Sequence, residues 1–161
     1  MKNVLFLVLC CIGFTGFAQT DTEFCKTAQS LYDQNDYAGA MKAVNRALVK
    51  NPDAPCRRVR INAAMQAEES SVNYLQAISD LEYLMNQGDK SENNYKTWGR
   101  AEAGLGKIHF ENKNFKESKK HYQKAITAFQ QAKAKGSAGD YDSLIANADN
   151  QMKQADAQSK N

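Results

Sequence analysis

The stretch Asn114-Phe115-Lys116-Glu117-Ser118-Lys119-Lys120-His121-Tyr122-Gln123-Lys124-Ala125-Ile126 decides the fold, because an earlier part of the chain repeats its spacing. That earlier part reads Asp36-Tyr37-Ala38-Gly39-Ala40-Met41-Lys42-Ala43-Val44-Asn45-Arg46-Ala47-Leu48. In both, an aromatic is followed by a small residue, then a large apolar one, then an Ala-plus-aliphatic pair. Tyr74, Ala77, Leu81, Leu84 and Met85 keep the same gaps between the two. The aromatics stand at positions 37, 74 and 115, so the copies recur after 37 and then 41 residues. Recurrence at such a period marks stacked supersecondary units.

Gaps of three and four put these apolar residues on one stripe of a helix. The small residue of each copy (Ala40, Ala77, Ser118) is expected where two helices approach closely. Before the first and third aromatics lie Gln34-Asn35-Asp36 and Asn112-Lys113-Asn114, short turns rich in residues that tolerate left-handed backbone. Another helix precedes each turn. In the third copy it carries Tyr95, Trp98, Leu105, Ile108 and Phe110, with Ser91 as its cap. Pro55 is expected to open a helix at its first position. Gly88 and Gly136 are expected as C-terminal caps. Tyr141, Leu144, Ile145, Ala148, Met152 and Ala155 form the stripe of one more helix, about 140–158, whose wet outer face would close the end of the stack. Residues 159–161 are expected to fray. No alternating β-branched run predicts a sheet, so the fold class is all-α.

Outward from this block, the N-terminus reads as a targeting segment. Lys2 is followed by an apolar run from Val4 to Phe14 and by Gly16-Phe17-Ala18, the order of a secretory signal peptide. Cleavage after Ala18 is expected, giving a mature chain from Gln19 exported to a bacterial periplasm or secreted. Leu9 before Cys10 argues against lipid attachment, so Cys10 and Cys11 leave with the signal. No later stretch is apolar enough for a membrane span. Without Lys2 the chain carries 20 basic against 18 acidic residues, which gives no footprint for nucleic acid.

The third copy, from Leu105-Gly106 through His109, Phe110, Phe115, Tyr122, Ala125 and Ile126, resembles a tetratricopeptide repeat (TPR). The first copy is similar from Ala28 to Pro52, with Leu31 and Tyr32 at the family's aromatic positions. The middle copy diverges, with Met65 and Glu68 in place of the usual small residue and aromatic. The resemblance covers Asp21 to Ala132, as repeats about 21–54, 58–91 and 99–132. It implies a right-handed α-solenoid of helix-turn-helix pairs, with a concave groove lined by first helices. The matching inward positions are Cys25, Gln29, Tyr32, Asn62, Gln66, Glu69, Arg100, Lys107 and Phe110. One TPR subclass grips a partner's C-terminal carboxylate through Lys, Asn and Arg. The corresponding positions here are Cys25, Gln29, Ala63, Arg100 and Gly104, and only Arg100 is basic.

First helices of consecutive TPR units lie side by side, so the resemblance also brings Cys25 and Cys56 within reach of each other. An oxidising compartment permits a disulfide there; two separate thiols is the other reading. His109 and His121 are too far apart in sequence for one-face metal ligation, and they read as packing histidines. Gly99, Gly104 and Gly106 follow no strand and read as sites of close helix packing, not as a phosphate loop. Lys113, Lys116, Lys119, Lys120 and Lys124, interleaved with Glu111 and Glu117, read as a solvated helix face, with an acidic partner or anionic membrane as the second reading. Asp142-Ser143-Leu144 looks like a short glycosylation acceptor and reads equally as a helix start. No catalytic constellation, metal site or cofactor motif emerges.

The expected function is therefore non-catalytic: a scaffold that holds a protein or peptide in its groove through Gln29, Tyr32, Asn62, Gln66, Glu69, Arg100, Lys107 and Phe110. The alternative is a structural subunit of an envelope assembly that uses its convex face or last helix.

Overall fold

The computed structural model describes residues 20–136 and 139–160. Seven helices and no strand occur among them: α1 (Asp21–Asp33), α2 (Tyr37–Lys50), α3 (Arg57–Gln66), α4 (Ser71–Asn86), α5 (Glu92–Glu111), α6 (Phe115–Lys135) and α7 (Tyr141–Gln158). The segment read as a signal peptide lies outside the described residues. No helix among the described residues is long and apolar enough to cross a membrane.

The turns repeat as faithfully as the stripes. Asn35 and Lys113 both adopt left-handed backbone, with φ of 62° and 59°. Around Asn35, the Asn35 N–H bonds Tyr32 O and the Asp36 N–H bonds Leu31 O, both at 2.9 Å. Around Lys113, the Lys113 N–H bonds Phe110 O at 2.9 Å and the Asn114 N–H bonds His109 O at 2.8 Å. The paired bonds satisfy carbonyls that a helix end leaves open. An aromatic pair brackets each turn, Tyr32 with Tyr37 and Phe110 with Phe115, at 5.7 and 5.3 Å between ring centroids. The α1–α2 and α5–α6 hairpins are thus built alike.

The middle hairpin is not. Ala67 leaves α3 in extended backbone, and Glu68, Glu69 and Ser70 carry the chain to α4. No left-handed residue occurs there, which fits the divergence of the sequence at Met65 and Glu68. One expected helix end differs from the structure. Pro55 sits in a turn, and α3 starts two residues later at Arg57. Gly136 is the C-cap of α6, its N–H bonded to Ala132 O, in extended backbone with φ −147° and ψ 147°. A glycine suits that place for another reason: a Cβ there would overlap the carboxylate of Glu92. Gly88, by contrast, has φ +97° and ends α4 with the same double bond pattern as Asn35.

Each helix packs on the next in sequence, and α1 also packs on α3. Ala40, Ala77 and Ser118 are fully buried, as expected at close crossings. Ser118 Oγ donates to Gly106 O at 2.8 Å, which leaves no polar atom stranded there. Cys25 and Cys56 form a disulfide with Cα atoms 5.3 Å apart, tying α1 to the start of α3. At the other end, α7 covers Tyr122, Ile126 and Phe129 of α6 with Leu144, Ile145, Ala148 and Met152. Tyr141 is buried, and its hydroxyl donates to Glu92 on α5. That carboxylate pushes the phenol's pKa up to about 12.

One buried feature has no counterpart in the apolar pattern. Asp80 is wholly buried on α4, between two arginines of α3. Arg60 donates to both its oxygens, at 2.7 and 2.6 Å, and Arg57 adds a bond at 2.9 Å. Arg60 also donates to Asn45 of α2, so one guanidinium joins three helices. The Arg57 guanidinium lies 3.7 Å above the Tyr83 ring, and Tyr83 in turn donates to Asp53. In the middle of the chain, ionic bonds do part of the work that the stripe does elsewhere.

Candidate functional site

α5 is the helix around which a site forms. Three of its glycines each face an aromatic ring from another helix. A Cβ on Gly99 would come within 2.5 Å of Phe129, and one on Gly106 within 3.0 Å of Tyr122. A Cβ on Gly104 would overlap the Tyr74 ring outright. The glycines admit these rings close against α5, and all three rings then line a cavity of about 520 Å³.

The cavity lies between α5 and α7. From α5 it is lined by Arg100, Ala103, Gly104, Lys107, Phe110 and Glu111, and from α7 by Leu144, Asn147, Ala148 and Gln151. Both sets follow helical spacing, so two straight stripes face each other. Tyr122 and Phe129 of α6 lie at its base, almost wholly buried under α7; the half-buried Tyr74, Phe110 and Leu144 give it its apolar surface, and Glu69 stands at one side. Small residues, Ala103 on one bank and Ala148 on the other, flank the middle, while the Tyr74 ring takes the space over Gly104.

Polar groups occupy the rim. Lys107 Nζ pairs with Glu69 at 2.7 Å, and both side chains are more than half exposed. The Glu69 hydrogen bond holds the Lys107 ammonium above its ordinary pKa. Burial raises the phenols of Tyr74 and Tyr122. Arg100 and Glu111 stand at opposite ends of the α5 stripe, and neither has a hydrogen bond or ion pair among the described residues. An apolar, aromatic surface under a charged rim suits an apolar side chain whose flanks are polar.

Of the eight residues expected to contact a partner, Glu69, Arg100, Lys107 and Phe110 line this cavity. The other four do not. Gln29 is exposed on α1 and donates to Asp33 at 2.8 Å, while Tyr32 packs against Tyr37 at the first hairpin turn. Asn62 and Gln66 are exposed on α3. The residues that α6 and α7 supply belong to stripes whose spacing alone predicts only packing. Their spacing is visible; their placement across from α5 is not.

No family model and no curated protein matches this chain.

Other chemistry-bearing residues lie elsewhere. His109 and His121 are stacked at 5.1 Å between centroids, and His121 Nδ1 lies 2.7 Å from the buried Glu102 carboxylate. The lone pairs of two nearly parallel stacked rings lie in separate planes, and no described group of His, Cys, Asp and Glu is arranged to hold a metal. The expected lysine face is only partly free: Lys119 reaches Asp156 on α7 at 2.5 Å, and Lys120 pairs with Glu117 at 2.6 Å. Ser143 is exposed in the first turn of α7, where Asp140 is the cap and Asp142 pairs with Lys133.

Proposed function

We propose that this chain is an exported, non-catalytic scaffold that holds a segment of a partner protein in the groove between α5 and α7. In this reading it is a right-handed stack of three TPR-like pairs, α1–α2, α3–α4 and α5–α6. α7 both closes the stack and supplies the groove's second bank. The observation that carries the proposal is the pair of facing stripes beside an aromatic surface. Helix packing holds that groove open without a ligand, so binding need not order the scaffold first. The matched turns at Asn35 and Lys113 support the repeat reading, and the Cys25–Cys56 bond accords with export.

The test is capture from the native envelope. Asn147 is exposed on the groove's edge, so Asn147→Trp fills the mouth without touching the core. The variant is expected to lose the partners that the unmodified chain co-purifies, while Glu82→Trp on the exposed side of α4 keeps them. Equal capture by both variants overturns the reading.

One observation favours the second reading, a structural subunit. Val72 and Leu75, one turn apart on α4, are 72% and 55% exposed, and Val49 of α2 is 87% exposed. If these residues mediate assembly, light scattering shows an oligomer of the purified chain that Val72→Lys dissociates.

A further inference from the structure

The rim charges indicate the chemistry of the occupant. Arg100 and Glu111 are eleven residues apart on one stripe of α5, on the order of 16 Å along the axis. The one ion pair on the rim, Lys107 with Glu69, lies between them and is already closed. Glu111 lies one turn from Lys107 and acts on that ammonium, but the Lys107 hydrogen bond goes to Glu69, so the rim charges without a hydrogen-bonded partner are Arg100 at one end and Glu111 at the other. Between them Ala103 and Ala148 carry small side chains on the two banks, beside the half-buried rings of Tyr74 and Phe110.

A trough between two helical stripes is shaped for the ridge of a third helix. Resting on the reading of this groove as a partner site, we propose that its occupant is an amphipathic helical segment of another protein with a specific charge order. One apolar ridge faces the half-buried Tyr74, Phe110 and Leu144. A carboxylate at one end of that ridge meets Arg100, and an ammonium or guanidinium at the other end meets Glu111. The groove selects a mixed-charge helix over one that is acidic or basic at both ends, because like charges at either end repel.

The test uses the full chain and three Ala-based helical peptides, each with a Leu ridge and end charges eleven residues apart. One is acidic at one end and basic at the other, one acidic at both, one basic at both. Binding is read by fluorescence anisotropy for the unmodified chain, Arg100→Glu and Glu111→Arg. Both positions are exposed, so neither substitution touches the core, and circular dichroism checks the fold.

The unmodified chain is expected to prefer the mixed peptide by about threefold or more, the scale of two exposed ion pairs. Glu111→Arg then prefers the doubly acidic peptide, and Arg100→Glu the doubly basic one. The same ranking for all three proteins overturns the charge order, while peptide binding that Asn147→Trp still abolishes leaves the groove reading standing. No binding of any Leu-ridged peptide overturns both. A dimer of the chain that Glu111→Arg dissociates puts a second copy in the groove, and also overturns the proposal.

Discussion

The ring of Tyr74 rests on Gly104, so closely that no other residue fits on α5 at that position without moving it. The contact joins the second and third helix pairs and forms one wall of the cavity. In an exposed helix, Gly to Ala stabilises by about 1 kcal/mol. Here the sign reverses. Gly104→Ala is expected to destabilise by about 1–3 kcal/mol through overpacking, measured by urea denaturation. Gly106→Ala, opposite Tyr122 at 3.0 Å, is expected to cost less.

Asp80 gives the largest expected effect of a single substitution. Asp80→Ala leaves two arginines in the interior without their carboxylate, and breaking a buried pair from one side costs about 3–5 kcal/mol. Replacing Asp80 and Arg60 together by Leu and Met is expected to cost less than Asp80→Ala. A double-mutant cycle in urea checks this; additive losses would show that the two side chains are not coupled.

These two cases mark what the sequence made legible. The three stripes, the hairpin turns, the buried Ala40, Ala77 and Ser118 and the last helix all follow from local spacing, because helix periodicity is a local property. The partner of a charge is not. Asp80 reads as a surface residue until α3 brings Arg57 and Arg60 over it. The site was half legible for the same reason: Arg100 and Lys107 lie on a stripe the repeat picks out. Leu144, Asn147 and Gln151 matter only because α7 folds back across from α5. Tyr32 occupies the position equivalent to Phe110, but the cavity that Phe110 lines is completed by α7, which packs on α6.

The disulfide closes a loop with a sequence separation of 31 residues, between Cys25 and Cys56. Constraining the unfolded chain over that length is worth about 3–4 kcal/mol. Reduction of the unmodified chain and the double substitution Cys25→Ala, Cys56→Ala are expected to lower stability alike. Dithiothreitol should then have no further effect on the double variant.

Asp156 ties α7 to α6 and shows how the structure responds to acid. Hydrogen bonds from Lys119 and then Lys160 lower its pKa to about 2. A carboxylate whose folded pKa is depressed contributes its stabilisation above its unfolded value and loses it as pH falls through the folded one. The α6–α7 tie is therefore present at neutral pH and is lost between about pH 4 and pH 2. NMR titration of the Asp156 carboxyl checks the value, and Lys119→Ala is expected to raise it toward the ordinary carboxylate range.

The groove between α5 and α7 is best tested where the protein works. A photo-crosslinking residue is placed at Gln151, on the groove's bank, and separately at Val49, on the exposed face of α2. The account predicts that illumination of intact cells traps one protein at Gln151 and nothing at Val49. A partner trapped at Val49 with none at Gln151 would contradict it.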